Sequence, residues 1–203
     1  MSAFQWIIDN AAAIEIDTQP VVASTTTRDG TVRSVSRGGQ PWVFTITMPQ
    51  GPRWSDYRGF IANADRYDRH TTQTIQFNNT GHDWLLAYQG DMTGPFYATW
   101  TTGASTFTMS GGTGSSGYRV RAGDLVQLGA SGSVYKVLED VAYNASTVRV
   151  HRPIIDTSDA GVAMNVGADC VFTIKATQFP TPRIFARNQV SWNGPFVFVE
   201  NLV

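Results

Sequence analysis

The three histidines carry the side chains best suited to acid–base catalysis or metal binding near neutral pH. His70, His82 and His151 are far apart in the sequence, and none has another histidine at metal-ligand spacing. His82 precedes Asp83 and could form a general base with an orienting carboxylate, but adjacent residues of an extended chain point to opposite faces. His151 ends an alternating segment and is typical of a surface histidine at the end of a strand. The histidines therefore predict neither a metal site nor a general base.

Two pairs of aspartates have spacings that recur in acid–base and calcium sites. Asp65 and Asp68 lie three residues apart in a helical pattern, so their side chains would be neighbours. An arginine follows each of them, which is typical of a solvated, charge-balanced helix face. Asp156 and Asp159 lie in a short polar segment, but the ligand series and the bidentate glutamate of a calcium loop are missing. A turn is the expected structure there.

The glycine-rich segment 111–117 and the single cysteine are the remaining candidates for reactive groups. The segment resembles a phosphate-binding loop only in glycine content, because no lysine follows it and no helical pattern begins there. It predicts a flexible connection between strands. Cys170 begins an apolar run, so a buried structural thiol is expected rather than a nucleophile. We therefore expect no catalytic residue, no cofactor and no bound metal, and a chain that is not an enzyme.

Charged residues are unusually few. They make up 15% of the 203 residues, with a net charge of −1, against roughly 25% in an ordinary soluble domain. This balance excludes a general nucleic-acid binder held by bulk positive charge. Arginine outnumbers lysine 13 to 2 and aspartate outnumbers glutamate 13 to 3. Lysine and glutamate cover helix surfaces, so their scarcity favours strands and turns, and arginine suits interfaces. Partners are expected to cover part of this surface.

Aromatic residues are concentrated between positions 84 and 100. Trp84, Tyr97 and Trp100 stand out among them because flat rings of this kind stack against sugars. Small Greek-key barrels are known to bind oligosaccharides in this way. The same residues also suit the core of a small barrel, and the sequence leaves both interpretations open. A carbohydrate-binding module is therefore the alternative functional hypothesis.

A polar hairpin is predicted near the start of the chain. Residues 21–27 and 31–36 are β-branched and flank Asp29-Gly30, which is a strong hairpin signal. The hairpin is rich in threonine and serine and cannot bury much surface by itself. It is either an arm that pairs with another copy of the chain or a solvated hairpin.

Other segments of the first part predict strands around one helix. Residues 4–8 are short and apolar with aromatic rings two apart, and residues 13–17 and 42–48 alternate in polarity, as half-buried strands do. The one convincing helix begins after Ser55, a plausible N-cap. It carries an apolar stripe at helical spacing, formed by Tyr57, Phe60, Ile61, Ala64 and Tyr67.

The chain from about residue 83 contains many short strand patterns separated by glycine-rich turns, which predicts a small barrel or sandwich. The candidate strands are residues 84–88, 96–101, 105–110, 124–128, 134–138, 147–151 and 170–175. Two more strands are predicted at residues 183–187 and 196–199, and the second of them, in which Phe196 and Phe198 alternate, resembles the first part of the chain. We expect a mainly β fold in which residues 1–82 and 178–203 form a discontinuous domain with one helix. Residues 83–177 are expected to form an inserted barrel.

Neither a secretory signal nor a membrane-spanning segment is expected. The first ten residues lack a basic region followed by an apolar one, so a secretory signal is unexpected. No run approaches 18 apolar residues, and no membrane segment is predicted. Folding in a reducing cytoplasm is the expectation.

One order of segments resembles a known family. Residues 118–128 read YRVRAGDLVQL, residues 134–137 read VYKV, and residues 147–150 read TVRV. This order resembles the inserted barrel of the distal tail proteins of long-tailed, non-contractile bacteriophages. The flanking parts agree, with a β-rich first segment, one helix, and a short C-terminal return. The resemblance covers nearly the whole chain.

The resemblance implies a structural role in the virion. It implies that the discontinuous domain is tail-tube-like and forms a hexameric ring, and that the inserted barrel is of the oligonucleotide/oligosaccharide-binding (OB) type. Such a ring joins the tail-tube protein to the tail-tip hub protein, and DNA passes through its channel without specific binding. It implies assembly in the host cytoplasm, a final location at the tail tip, or baseplate, and no enzymatic reaction.

The structural role and the carbohydrate-binding alternative each assign a function to particular residues. Contacts between copies are expected in the hairpin and the C-terminal strand, at Val21, Thr25, Arg28, Val32, Arg33, Val35, Arg37, Phe196 and Phe198. In the alternative, Trp84, Tyr97 and Trp100 stack against a glycan of the host surface.

Overall fold

The computed structural model describes residues 3–18, 22–26, 28, 32–36, 40–66, 71–78, 81–185 and 187–202. Over these residues the protein is mainly β. The chain forms two compact units, the first made of Met1–Ile75 and Thr173–Val203 and the second of Gln76–Phe172. The sequence predicts these boundaries after residues 82 and 177, which is a few residues further along the chain than the boundaries in the structure.

The first unit contains two helices and most of one five-stranded sheet. Its elements are α1 (Ala3–Asp9), β1 (Ala13–Thr18), β2 (Val22–Thr26), β3 (Val32–Ser36), β4 (Trp42–Thr47), α2 (Trp54–Arg66), β15 (Pro182–Phe185), β16 (Gln189–Trp192) and β17 (Phe196–Glu200). Two strands, β5 (Gln73–Gln76) and β14 (Val171–Gln178), run across the boundary between the units. The sheet order is β1-β4-β17-β14-β5.

The second unit consists of short strands and two 3-10 turns. Its elements are β6 (Thr93–Trp100), β7 (Thr106–Thr113), β8 (Tyr118–Val120), β9 (Leu125–Gln127), β10 (Val134–Lys136), β11 (Val141–Ala142), β12 (Thr147–Arg149), β13 (Asp159–Val166) and the 3-10 turns Asp83–Leu86 and Gly167–Asp169. Six strands form one sheet in the order β10-β9-β13-β6-β7-β12.

The core of the first unit lies on one face of its sheet. Phe44 of β4 pairs in register with Phe198 of β17, and both side chains are fully buried. Phe4 of α1 stacks on Phe198 with ring centroids 4.7 Å apart. Trp6 of the same helix stacks on Phe60 of α2 at 4.1 Å. Both helices are therefore held by aromatic contacts, each of which adds to ordinary apolar burial.

Residues 4–8 belong to helix α1, so the strand predicted there is wrong. Phe4, Ile7 and Ile8 are buried, and their spacing of three and four residues is that of one helix face. The side chain of Gln5 donates a hydrogen bond to Asp9 across one turn, at 2.8 Å. The alternation of two aromatic residues concealed this periodicity, and the expectation of a single helix is corrected to two.

Helix α2 begins two residues earlier than predicted. It starts at Trp54, so Ser55 lies within its first turn and does not cap it; its hydroxyl donates instead to the carboxylate of Asp56. Tyr57 and Phe60 are buried as expected. In the described ranges neither α-helix has the length and the apolar character required to cross a bilayer.

The six-stranded sheet of the second unit curls until its two edge strands meet. Val137, next to β10, forms a bridge with Val150, next to β12. Two further backbone hydrogen bonds flank the bridge, from Leu138 to Arg149 and from His151 to Lys136, each 3.0 Å long. The edge strands thus satisfy part of each other's hydrogen-bonding capacity. The enclosed core contains Met109, Val126, Tyr135 and Val148, among others.

The first three residues of the glycine-rich segment, 111–113, belong to strand β7, and only residues 114–117 form the predicted connection to the next strand. Gly111 and Gly112 have φ angles of 78° and 72°, a region that glycine adopts without cost. A Cβ at Gly111 would collide with the carbonyl oxygen of Pro95 on the neighbouring strand. The register between β6 and β7 shifts at this point, so the glycines form a bulge.

Two other segments differ from the predicted strands. Residues 83–86 form a 3-10 turn instead of a strand, closed by a hydrogen bond from the backbone N–H of Leu85 to the carbonyl of His82 at 3.1 Å. Strand β13 was not predicted, since its first residues are aspartate, alanine and glycine, which have low strand propensity. Its neighbours β6 and β9 supply the pairing that its own sequence does not favour.

Truncation of Phe198 tests the core of the first unit. Phe198→Ala should lower the free energy of unfolding by about 3–5 kcal/mol, because it leaves a cavity under α1. Urea titration followed by tryptophan fluorescence measures this, since Trp6, Trp42, Trp54 and Trp192 all lie in that unit. The control is Phe185→Ala, whose ring is 52% exposed and whose loss should cost within about 0.5 kcal/mol. Equal effects of the two variants would contradict the structure.

Candidate functional site

The predicted hairpin is present as the ribbon β2–β3, which we call the N-terminal ribbon. Its strands pair antiparallel from Val22 opposite Ser36 to Thr26 opposite Val32. Among the described residues it pairs with no other strand. Thr25, Thr26 and Arg28 are exposed. A two-stranded ribbon alone is marginally stable in water, so this element needs a further partner.

The remaining hairpin residues are placed as follows. Arg33 and Val35 belong to β3, together with Val32 at its first position. Val21, Arg37 and the Asp29-Gly30 turn lie outside the described residues.

The two phenylalanines proposed as contact residues of the C-terminal strand are core residues. Phe196 and Phe198 are fully buried within the chain. Phe196 packs edge-on against Phe179 at 4.7 Å and Trp192 at 5.0 Å. Neither ring can reach another copy without opening the core, which corrects their assignment as contact residues. Val197 and Val199, which alternate with them, are half-buried.

A second ribbon, β15–β16, carries an exposed apolar edge that the sequence analysis did not identify. Ile184 is 57% exposed and Phe185 is 52% exposed, although both lie in a strand. The only described strand that pairs with β15 is β16. The sequence contains one indication of this edge. Ile184 and Phe185 are consecutive, and successive side chains of a strand point to opposite faces, so both faces of β15 carry an apolar side chain.

The other side of β16 is anchored to the body of the first unit. Backbone hydrogen bonds join Gly51 to Val190 at 3.0 Å and Val190 to Pro52 at 2.9 Å. Trp54 donates to the carbonyl of Asn188 at 2.9 Å. The ribbon is thus fixed along one side, and β15 is left as its free edge.

A pocket of about 300 Å³ lies in the second unit between the turn 128–132 and the segment 156–159. Trp100, Asp156 and Asp159 contribute side chains to its wall. The indole N–H of Trp100 donates to the carbonyl of Thr157 at 2.8 Å, which fixes the ring. Gly129, with φ of 81°, exposes bare backbone beside it.

The carboxylate of Asp156 is held in place by two donors. It accepts the backbone N–H of Ser133 at 3.0 Å and the hydroxyl of Tyr135 at 2.6 Å. Burial, reinforced by this carboxylate, raises the pKa of Tyr135 well above its usual value. Asp159 accepts the N–H of Ala160 at 2.8 Å. The pocket therefore presents carboxylate oxygens beside an aromatic ring, an arrangement that suits a hydroxyl-rich ligand.

The three residues proposed for glycan stacking occupy different environments. Trp84 is 70% exposed, and its indole N–H donates to the carbonyl of Gly81 at 3.2 Å. Tyr97 is 39% exposed on β6. Trp100 is only 7% exposed and belongs to the barrel core, so it offers an edge in the pocket and not a stacking face.

The segment that carries the family resemblance has a structural function. Asp124 is almost fully buried. Its carboxylate accepts the backbone N–H groups of Gln89 at 2.9 Å and Arg121 at 2.8 Å. Burial raises the pKa of this carboxyl above its ordinary value in spite of these donors. The Ala-Gly-Asp turn thus fastens β9 to the residues that precede β6.

Two further candidate residues, Cys170 and His151, also have structural roles. Cys170 is buried, as expected, and its thiol contacts the carbonyl of Asn165 at 3.7 Å. Burial raises the pKa of this thiol far above its usual value, so it is a poor nucleophile. His151 is half-buried and accepts the N–H of Lys136 at 3.0 Å, which corrects the surface position predicted for it. No cluster of three metal-ligating residues occurs in the part of the chain that the structure describes.

No family model matches the sequence, and a search of curated proteins finds no match. The functional proposal therefore depends on the residues of the chain itself.

Removal of the Tyr135 hydroxyl tests the pocket wall. Tyr135→Phe should lower the free energy of unfolding by about 1–3 kcal/mol at pH 7, since Asp156 loses a buried donor. The pKa of Tyr135 is raised by folding, so the stability that the hydroxyl adds is complete below pH ~10 and is lost above it. The difference between native and variant chains should therefore shrink in alkaline solution.

Denaturant titrations at a series of pH values measure this difference. Tyr97→Phe is the matched control, because that side chain is partly exposed and its change should have little effect. A constant difference between Tyr135→Phe and the native chain across the alkaline range would contradict the assignment.

Proposed function

We propose that this chain is a structural subunit of a bacteriophage tail, which assembles into a closed ring of identical copies in the manner of the distal tail proteins. The N-terminal ribbon is the observation that carries the proposal. Its two strands pair with each other and, over the described residues, with nothing else. Contacts with a neighbouring copy would supply the support that such a ribbon lacks.

The composition of the surface supports the same role. Only 15% of the residues are charged, and arginine far outnumbers lysine. Arginine and exposed aromatic or aliphatic side chains are typical of surfaces that are covered in an assembly. Ile184 and Phe185 are exposed in a strand of the first unit, where a subunit in solution would gain by covering them.

Ring closure requires contacts between two different surfaces of the subunit. Heterologous contacts close into a ring when the rotation between copies divides a full turn, and otherwise they form a filament. The resemblance to distal tail proteins favours six copies. In this role the ring binds the tail-tube protein on one side and the tail-tip hub protein on the other, and it sits at the tail tip of the virion.

The proposed channel must let DNA pass without holding it. A net charge of −1 gives little of the phosphate-binding potential that retains nucleic acid. The role requires no reaction, and the side chains described above for Asp124, Cys170 and Asp156 are engaged in structural hydrogen bonds or buried in the core.

Assembly of the purified protein tests this function. Light scattering coupled to size exclusion, and negative-stain electron microscopy at micromolar concentration, should show a hexameric ring with a central hole. Replacement of residues 19–39 by a short Gly-Ser linker should leave a folded monomer, because the ribbon makes no strand pairs with the rest of the described chain. Trp84→Ala, which removes an exposed ring elsewhere, is the control and should still form rings. A native chain that stays monomeric, with tail-tube and hub proteins supplied, would refute the proposal.

A second candidate function is recognition of a glycan on the host surface by the second unit. Two observations favour it: the 70% exposure of Trp84 and the pocket that joins Trp100 to Asp156 and Asp159. Indole rings stack on sugar faces and carboxylates accept sugar hydroxyls, so the exposed ring of Trp84 and the carboxylates of the pocket are two separate candidate places for a sugar.

Tryptophan fluorescence distinguishes binding at the exposed Trp84 ring from binding in the pocket. Host cell-wall and surface oligosaccharides should quench the native chain with a saturable dependence on concentration. Asp159→Asn should weaken quenching if the pocket binds, and Trp84→Ala should weaken it if the exposed ring binds. A panel of glycans that leaves the spectrum unchanged would exclude this function.

A further inference from the structure

The free edge of β15 combines apolar and basic side chains. Pro182 and Ile184 lie on one face of the strand, opposite Trp192 and Val190 of β16. Arg183 lies on the other face, opposite Ser191, and is exposed. An exposed apolar edge strand is a template for pairing with another strand, and proteins that keep one exposed risk aggregation.

A second free edge occurs on β1, at one end of the five-stranded sheet. Ile14 and Ile16 pair with Ile46 and Phe44 of β4, which are fully buried. The two isoleucines therefore lie on the core face of the sheet, yet both are only half-buried. In the described part of the chain no strand lies on their outer side to cover them.

The opposite face of β1 is acidic. Glu15 and Asp17 alternate with the isoleucines and are exposed. Acidic residues on an edge strand exclude most strands from pairing there, because an added apolar or acidic strand would bury or repel these charges. They admit a strand that carries arginine at the matching positions.

The two edges match each other face by face. When β15 is laid beside β1, Ile184 falls on the face of Ile14 and Ile16. Arg183 then falls on the face of Glu15 and Asp17, together with Phe185, whose exposed ring lies beside the arginine on that face. Because side chains alternate strictly along a strand, both matches occur together or fail together. Cross-strand apolar pairs and opposite charges each stabilise such a pairing.

The N-terminal ribbon is a poorer partner for β15. Residues 21–37 contain Arg28, Arg33 and Arg37 and only one acidic residue. A strand of this composition would place like charges beside Arg183, whereas β1 places opposite charges there.

We propose that the β15 edge of one copy pairs with the β1 edge of a second copy, joining Ile184 to the isoleucines of β1 and Arg183 to its carboxylates. The inference rests on the proposed ring and names one pair of surfaces that would join its copies, in addition to the contacts of the N-terminal ribbon. The two edges belong to different elements, so the contact is heterologous. Every copy then donates one edge and accepts another, as ring closure requires.

Charge reversal tests the pairing. Arg183→Glu and Asp17→Arg, each alone, should raise the concentration at which half of the chain is assembled roughly tenfold, because attraction becomes repulsion. The double variant should restore assembly close to the native midpoint. Lys175→Glu is the control: it makes the same change of charge at an exposed position of β14, away from both edges, and should assemble like the native chain.

Engineered cysteines provide a second measurement. Glu15→Cys combined with Arg183→Cys should give a ladder of disulfide-linked oligomers on a non-reducing gel. Each single variant should stop at dimers, because one thiol per copy can link only two chains. Lys175→Cys with Arg183→Cys should give no ladder. The natural Cys170 is buried and adds no background.

The outcomes separate the inference from the function on which it rests. Rings that form in the native chain and resist both single charge reversals, without a cysteine ladder, would overturn the β15–β1 pairing and leave the ring in place. A native chain that stays monomeric would overturn both. Loss of assembly in each reversal together with recovery in the double variant supports the pairing.

Discussion

Unpaired hydrogen-bonding groups at strand edges are the constraint on which this structure depends. Every edge strand presents a row of backbone donors and acceptors that must find a partner or remain in water. The second unit meets this demand internally, because the bridge between Val137 and Val150 joins the two edges of its sheet. The first unit does not: over the described residues β1, β15 and the N-terminal ribbon each keep an open side. The two units thus differ in how much they need a partner.

The two units also differ in what holds their elements together. In the second unit, Asp124 and Asp156 accept hydrogen bonds from groups tens of residues away in sequence, the backbone N–H of Gln89 and the hydroxyl of Tyr135. These bonds fix short strands that have little pairing of their own, such as β9 and β10 with three residues each. Its stability therefore comes from turns as much as from strands. The first unit is held by stacked rings under a sheet, with Phe4, Phe198 and Trp6 as the central contacts.

The sequence predicts the parts of the fold in which local patterns agree with the tertiary structure. Strand β4 and the β2–β3 hairpin have alternation or turn signals that survive in the structure. Helix α1 was mistaken for a strand because seven residues contain too little of a helical period to outweigh two alternating aromatic rings. Strand β13 has weak strand propensity and forms because β6 and β9 pair with it. Pairing of this kind depends on the neighbouring strands, so the sequence of β13 alone does not predict it.

The candidate sites were harder to predict for a related reason. Alternation identifies which residues share a face, but it does not say which face the core covers. Phe196 and Phe198 were therefore expected at a contact surface, whereas α1 and Trp192 cover them. The local pattern does not predict the exposure of Ile184 and Phe185, because apolar residues in strands are usually buried, and these two are more than half exposed. Exposure depends on which strand ends a sheet, and sheet order comes only from the fold.

A ring would also change the requirements on any glycan site in the second unit. A pocket of about 300 Å³ takes no more than a small saccharide, and such ligands bind weakly because few groups can be paired. When identical sites are fixed in one assembly, binding of the first raises the effective concentration of glycan at the others, and the combined affinity exceeds that of a single site by orders of magnitude. Weak recognition by each barrel is therefore compatible with firm attachment of the whole particle. In that case the assembly formed through the open edges of the first unit would determine the combined strength of glycan binding by the second units.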